Sequence, residues 1–192
     1  MVRIETGNRS YSIIMKRLFY HLRTKSAVFI LVLMFLLGGC STAKGEGFAI
    51  YLTRDDISPA RMEALSHVDI ADQPIIAISD VITYNGQTHE IKLTDEAFER
   101  IANLEVPVRG RSFLVCVDKG PIYWGAFWTP ISSMSFDSVT IWKPLSSQEL
   151  KVITLDIGYP SSSFYRGEDP RNNAEVMKSL EQAGKLINKS KP

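Results

Sequence analysis

The chain carries few of the residues that usually mark catalytic or metal-binding sites. Its 192 residues include only two cysteines and three histidines, and no pair of histidines stands in a His-Glu-x-x-His arrangement. His89 lies in the strand-like stretch Thr88-His89-Glu90, where neighbours point to opposite faces, so the pattern does not gather zinc ligands. There is no glycine-rich phosphate loop, no EF-hand spacing and no Gly-x-Ser-x-Gly elbow. The loop from Gly158 to Tyr165 is rich in serine but has no identifiable base beside it, which argues against a serine nucleophile. Glu168, Asp169, Asn172 and Asn173 place oxygen ligands close together, yet they read better as a loop end and a helix cap than as a calcium site. No catalytic residue, metal ligand or cofactor is therefore assigned. Long apolar runs are also missing. The longest, 27–39, has 13 residues, against about 20 for a spanning helix.

That run has an informative setting. Lys16, Arg17, Arg23 and Lys25 lie ahead of it, residues 27–37 are wholly apolar, and Gly38 and Gly39 precede Cys40. A basic flank, a short apolar core and small residues define a secretory signal. Leu37-Gly38-Gly39-Cys40 resembles the lipobox of bacterial lipoproteins. The resemblance implies cleavage between Gly39 and Cys40, a diacylglyceryl thioether on the Cys40 sulfur, and further acylation of the new amine by a fatty acid such as palmitate. Two or more acyl chains anchor a protein stably, whereas one does so only marginally. The partner implied is thus a lipid bilayer, held through acylated Cys40. Ser41 follows the cysteine, and the lack of Asp there favours the outer membrane of a two-membrane bacterium. In a one-membrane bacterium the protein would sit on the outer face of the plasma membrane. Met15-Lys16-Arg17 is a more natural beginning than the polar stretch 1–14, so Met15 is read as the true start. The expected organisation is a leader at 1–39, a lipidated tether at 40–47 and a globular domain at 48–192.

Removing the leader changes the charge. Six of the 22 basic residues and one of the 21 acidic residues precede Cys40, which leaves 16 against 20 and a net charge of −4. A mildly acidic domain with no basic run is a poor nucleic-acid binder. With Cys40 lipidated, Cys116 stands alone in Phe113-Leu114-Val115-Cys116-Val117, where it reads as a small buried hydrophobe.

The remaining pattern is mixed. Phe48 to Leu52 suits a buried strand, and Ser58-Pro59 opens a short helix running to about His67. Val81 to Tyr84 and Thr88 to Leu93 flank Asn85-Gly86, which predicts a tight hairpin. Thr94 caps a helix whose Ala97, Phe98, Ile101 and Leu104 form an apolar side. Ser112 to Val117 and Ile122 to Trp128 read as strands around Asp118-Lys119-Gly120-Pro121, and Ser138 to Trp142 and Lys151 to Ile157 as two more. A last helix is expected from Ala174 to Ile187, with Asn173 as its cap. The fold class expected is α+β, a single mainly antiparallel sheet with two or three helices behind a signal peptide.

Residues 91–97 and 114–123 are also similar to stretches in periplasmic domains of the SecD export subunit, where a strand leads to a helix and a later hairpin has a short turn. This resemblance implies an α+β fold of that general kind. The chain lacks that family's spanning helices, so translocation is not implied.

The aromatic density is the main candidate for function. Tyr123, Trp124, Phe127, Trp128, Phe136 and Trp142 fall within 20 residues. Strands favour aromatics in their cores, but Trp and Tyr are also common interface anchors. Trp124, Trp128, Trp142 and, in the following loop, Tyr159 are the candidate binding residues. The reading this supports is a membrane-anchored lipoprotein whose non-enzymatic domain binds an envelope protein or glycan. The rival is an envelope hydrolase whose site is assembled from distant residues such as His89, Asp118 and Asp137.

Overall fold

A computed structural model describes residues 45–146 and 150–187. The expected leader at 1–39, Cys40 and residues 41–44 of the expected tether lie outside them. The strands are β1 (Phe48–Leu52), β2 (Val81–Asn85), β3 (Glu90–Leu93), β4 (Arg111–Val117), β5 (Gly120–Trp128), β6 (Phe136–Trp142), β7 (Val152–Thr154), β8 (Asp156–Tyr159) and β9 (Leu186–Ile187). The α-helices are α1 (Asp95–Ala102) and α2 (Ala174–Gln182). The α+β class holds, but the expected single sheet is two. One has the order β1-β4-β5-β6-β8 and the other β7-β3-β2-β9. All neighbours run antiparallel except β5 with β6 and β2 with β9.

The division arises at Leu155. Residues 151–157 alternate like one strand, yet β7 pairs with β3 in the four-stranded sheet and β8 pairs with β6 in the five-stranded one. Leu155, fully buried, is the step between them. Its amide donates to the His89 carbonyl at 3.0 Å and its carbonyl accepts from Arg171 Nη1 at 2.7 Å. Neither backbone group is left unpaired where the chain changes sheets.

The main core lies where the two sheets and both helices meet. Phe48, Ile50, Phe113, Val115, Phe127, Val139 and Ile141 of the five-stranded sheet join Val81, Tyr84, Ile91, Leu93 and Ile153 of the other. Phe98 and Ile101 of α1 and Val176 and Leu180 of α2 complete it. Each such side chain contributes about 1.5–3 kcal/mol of burial. The opposite face of the five-stranded sheet is covered too. Segment 53–72, with Val68, Met62 and Leu65, packs over Ala49, Tyr51, Leu114 and Cys116. The Cys116 thiol is buried there, and burial pushes its pKa up to about 12.

Local chemistry explains both the agreements and the departures. Thr94 Oγ1 accepts from the Ala97 amide, as its place before Asp95 and Glu96 predicts. Asn173 Oδ1 caps α2 through the Glu175 and Val176 amides. That helix stops at Gln182 rather than reaching Ile187. Gly184 takes φ +68°, and the Lys185 amide bonds back to the Leu180 carbonyl at 2.8 Å, a Schellman closure. Leu186 and Ile187 are thereby freed to pair with Tyr84 and Asn85. The β2–β3 connection is also longer than the Asn-Gly pair suggests. Asn85 Oδ1 accepts from the Gln87 and Thr88 amides, and the left-handed residue is His89, at φ +56°. The short helix expected from Ser58 is two separate 3-10 turns, Pro59–Arg61 and Leu65–His67, and the Ser58 side chain forms no capping bond.

Gly125 fills a position only glycine fits. A Cβ there would lie 2.4 Å from the Val139 carbonyl oxygen and 2.5 Å from Phe113 Cζ. Gly125→Ala is expected to destabilise the domain by about 1–3 kcal/mol through overpacking. Equilibrium urea unfolding measures this, and an unchanged midpoint would contradict it.

Candidate functional site: an aromatic groove

Strand alternation sorts the aromatic residues of β5 and β6. Tyr123 and Phe127 face the main core, while Trp124 and Trp128 face the other way. Phe136 and Trp142 of β6 and Tyr159 of β8 join them on that outer face. Ring contacts then run without a break. Trp124 meets Phe136 edge-on at 5.4 Å, Phe136 meets Trp128 at 5.6 Å, Trp128 stacks on Tyr159 at 4.9 Å and 16°, and Tyr159 meets Trp142 at 4.8 Å. Such pairs add about 0.5–1.5 kcal/mol each beyond area burial. The structure therefore brings all four sequence candidates, Trp124, Trp128, Trp142 and Tyr159, into one cluster.

Their roles in it differ. Trp128 and Tyr159 are buried, at 1% and 2% exposure, whereas Trp124 and Trp142 are partly exposed. The Tyr159 hydroxyl lies 2.9 Å from both the Thr129 and the Ser132 carbonyl oxygens and donates its proton between them. It thus fastens the segment 129–135 that carries the chain from β5 back to the start of its parallel neighbour β6. Gly110, at φ +79°, lets the backbone pass against the Trp128 indole, where a Cβ would approach to 3.0 Å.

Above this floor lies a groove of about 680 Å³, in the usual range for a ligand site. Trp124, Trp128 and Phe136 form its base. Pro59, Met134 and Phe164 make an apolar rim, and Arg109, Arg166 and Asp137 are its charged groups. Met134 and Phe164 are large apolar side chains left exposed. Arg109 is shared with a second cavity of about 410 Å³ lined by Asp55, Asp56, Arg61 and Glu63. Trp142 instead lines a third, of about 430 Å³, with Lys143, Leu145, Thr154 and Asp156. The aromatic ladder therefore runs between two cavities.

A separate polar cluster is buried beside the Leu155 step. The Tyr84 hydroxyl is 3.0 Å from His89 Nδ1, and both residues are buried. At its solvent edge, half-buried Arg171 binds exposed Asp169 with two contacts, Nε to Oδ1 at 2.9 Å and Nη2 to Oδ2 at 2.6 Å. Burial opposes the Arg171 charge, but this carboxylate outweighs it and raises the guanidinium pKa. Burial lowers the His89 pKa, and the Arg171 charge lowers it further. Burial raises the pKa values of Tyr84, Tyr123 and Asp156. The buried Tyr123 hydroxyl has no hydrogen-bond partner among the described residues.

The three residues considered for a hydrolase do not converge. His89 bonds Tyr84, Asp118 Oδ1 accepts from the Gly47 amide at 2.7 Å in the β4–β5 turn, and Asp137 lines the groove. They share no hydrogen bond, ion pair or cavity among the described residues. Sequence reasoning missed Arg109, Arg166 and Arg171, which lie in irregular segments without a periodic signal. Only the Asp169-Pro170-Arg171 spacing hinted at a local ion pair. Among the described residues no group of His, Cys, Asp and Glu side chains could hold a metal ion, and no helix is long and apolar enough to cross a membrane.

Two predictions follow from burial. Trp128→Ala should cost about 3–5 kcal/mol, as for a core aromatic, and Trp124→Ala and Trp142→Ala less than about 2 kcal/mol. Melting curves of the three variants check the ranking, and equal losses would mean that Trp124 and Trp142 are as buried as Trp128. The second concerns pH. The unfolded imidazole titrates near about 6.5, and the folded one lower, so the unfolded chain takes up the proton first. Stability is complete above that value and is lost as pH falls from it toward the folded pKa. Urea midpoints measured across this window should drop in the wild type and drop less in His89→Gln.

No protein-family model, curated protein or solved structure matches this chain.

Proposed function

We propose that this chain is the precursor of a bacterial lipoprotein that is anchored through acylated Cys40 and binds a component of the cell envelope in its aromatic groove. The observation that supports binding is the Trp124–Trp128–Phe136 floor under an open, 680 Å³ groove rimmed by exposed Met134 and Phe164. Flat rings at the base of a cleft provide rigid contact area at low entropic cost. Exposed apolar residues around such a cleft commonly mark interaction sites. The lipobox supports the location, since a tethered domain meets its ligand at the membrane surface.

The Tyr84–His89 pair lies within hydrogen-bond reach, but neither residue lines the groove or the other two cavities. The groove's own residues are rings, two guanidinium groups, serine hydroxyls and the Asp137 carboxylate, with no second titratable carboxylate, thiol or imidazole among those that line it.

Both parts are testable in cells. Intact mass of the membrane-extracted protein should show acylated Cys40 as the first residue, and Cys40→Ala should abolish both the acyl mass and membrane retention. A mature N-terminus elsewhere would overturn the anchor. A photo-cross-linking amino acid in place of Met134 should form adducts with an envelope component, and these should fall about tenfold when Trp124→Ala is added. Adducts that are absent, or that ignore Trp124→Ala, would overturn the groove as the binding site.

A further inference from the structure

We infer that the groove takes an acidic glycan, its sugar rings stacked on Trp124 and its carboxylates held by Arg109 and Arg166. The inference rests on the binding reading above and names the class of ligand. The first argument is charge. The chain from Cys40 onward carries a net −4, yet this groove is lined by Arg166, by Arg109 at its border with the acidic cavity of Asp55, Asp56 and Glu63, and by one carboxylate, Asp137. Arg109 and Arg166 are exposed and make no side-chain ion pair or hydrogen bond among the described residues. By contrast, Arg54, Arg100, Arg111 and Arg171 are each paired to an aspartate. Unpaired guanidinium groups over a cleft are suited to two-pronged contacts with carboxylates.

The second argument separates a sugar from a peptide. The floor belongs to β5 and β6, inner strands of the five-stranded sheet, whose backbone groups are used by their neighbours. A peptide laid on it would bury its own amides without partners, and sheet-edge pairing is not open to it there. A sugar ring meets an aromatic face with its C–H groups and keeps its hydroxyls at the rim, where Ser135, Ser163 and Asp137 stand.

The test uses full-length protein extracted in detergent, titrated by calorimetry and tryptophan fluorescence against three probes: oligogalacturonate, uncharged maltohexaose and poly-glutamate. Oligogalacturonate should bind saturably, at least about tenfold tighter than either of the others. Its affinity should fall roughly tenfold in Arg166→Gln and in Trp124→Ala, and should weaken as salt rises. Arg166 lies on an exposed loop, so its variant keeps the test valid even if Trp124→Ala unfolds. Equal binding of poly-glutamate would make the site a general anion or acidic-peptide site. Equal binding of maltohexaose would remove the arginines from recognition. Either result, or no binding of oligogalacturonate, overturns the acidic glycan. A Met134 cross-link to a polypeptide that still depends on Trp124 would also overturn the glycan while leaving the binding reading intact, whereas failure to cross-link at all counts against the binding reading itself.

Discussion

The two sheets pack on one core, and the chain steps directly from one to the other at Leu155, where Arg171 completes the backbone hydrogen bonding. Where the chain leaves β7 for β8, the Leu155 carbonyl has no ladder partner, and the Arg171 guanidinium supplies the donor at 2.7 Å. The same guanidinium is clamped by Asp169 two residues earlier, which fixes it and offsets its charge in a half-buried place. The Leu155 amide is satisfied by the carbonyl of His89, a residue held in left-handed backbone at the end of the β2–β3 loop. A hairpin from one sheet and a loop from the other are therefore tied to one residue. Loss of Arg171 would leave a buried carbonyl unpaired and Asp169 without its counter-ion.

That step also sets the aromatic groove. β8 begins immediately after Leu155, so the position of Tyr159 depends on where the chain re-enters the five-stranded sheet. Tyr159 in turn lies between Trp128 and Trp142 and holds segment 129–135 through its hydroxyl. The β8 residues and the turn after them bring Ser163, Phe164 and Arg166 to the groove wall, and the Arg166 amide bonds the Asp137 carbonyl. The floor is built of rings packed on one another, while its walls come from loops. Preorganisation of that kind lowers the entropic cost of binding.

Much of this was legible in the sequence where a local rule dominates. Thr94 and Asn173 read as caps because a short polar side chain before a helix has one outstanding use. Ile91 and Leu93 alternate with Glu90 and Lys92 as a half-buried strand should, and all four candidate aromatics fall in one cluster. What was not legible depends on long-range pairing. Nothing in Lys151 to Ile157 marks Leu155 as a change of sheet, because its alternation satisfies either sheet equally well. Ile187 completes the apolar face of α2 on a helical wheel, yet Gly184 ends that helix, and the sheet edge at Tyr84 and Asn85 takes up Leu186 and Ile187. The groove's arginines were invisible for the same reason: Arg109 and Arg166 are 57 positions apart and meet only through the fold.

The structure separates two kinds of polar chemistry. Tyr84, His89 and Arg171 are turned to structural hydrogen bonds beside the Leu155 step, Tyr84 to His89 and Arg171 to the Leu155 carbonyl and Asp169. A histidine whose pKa is lowered by burial and by a neighbouring guanidinium suits a structural hydrogen bond with Tyr84 better than a charge change exposed to solvent. The open groove offers a different set, guanidinium groups and flat rings beside the Asp137 carboxylate. If recognition uses only those groups, affinity at the groove should be insensitive to pH in the range where His89 titrates, while fold stability is not. Binding and stability would then respond to different variables, salt for the first and acidification for the second.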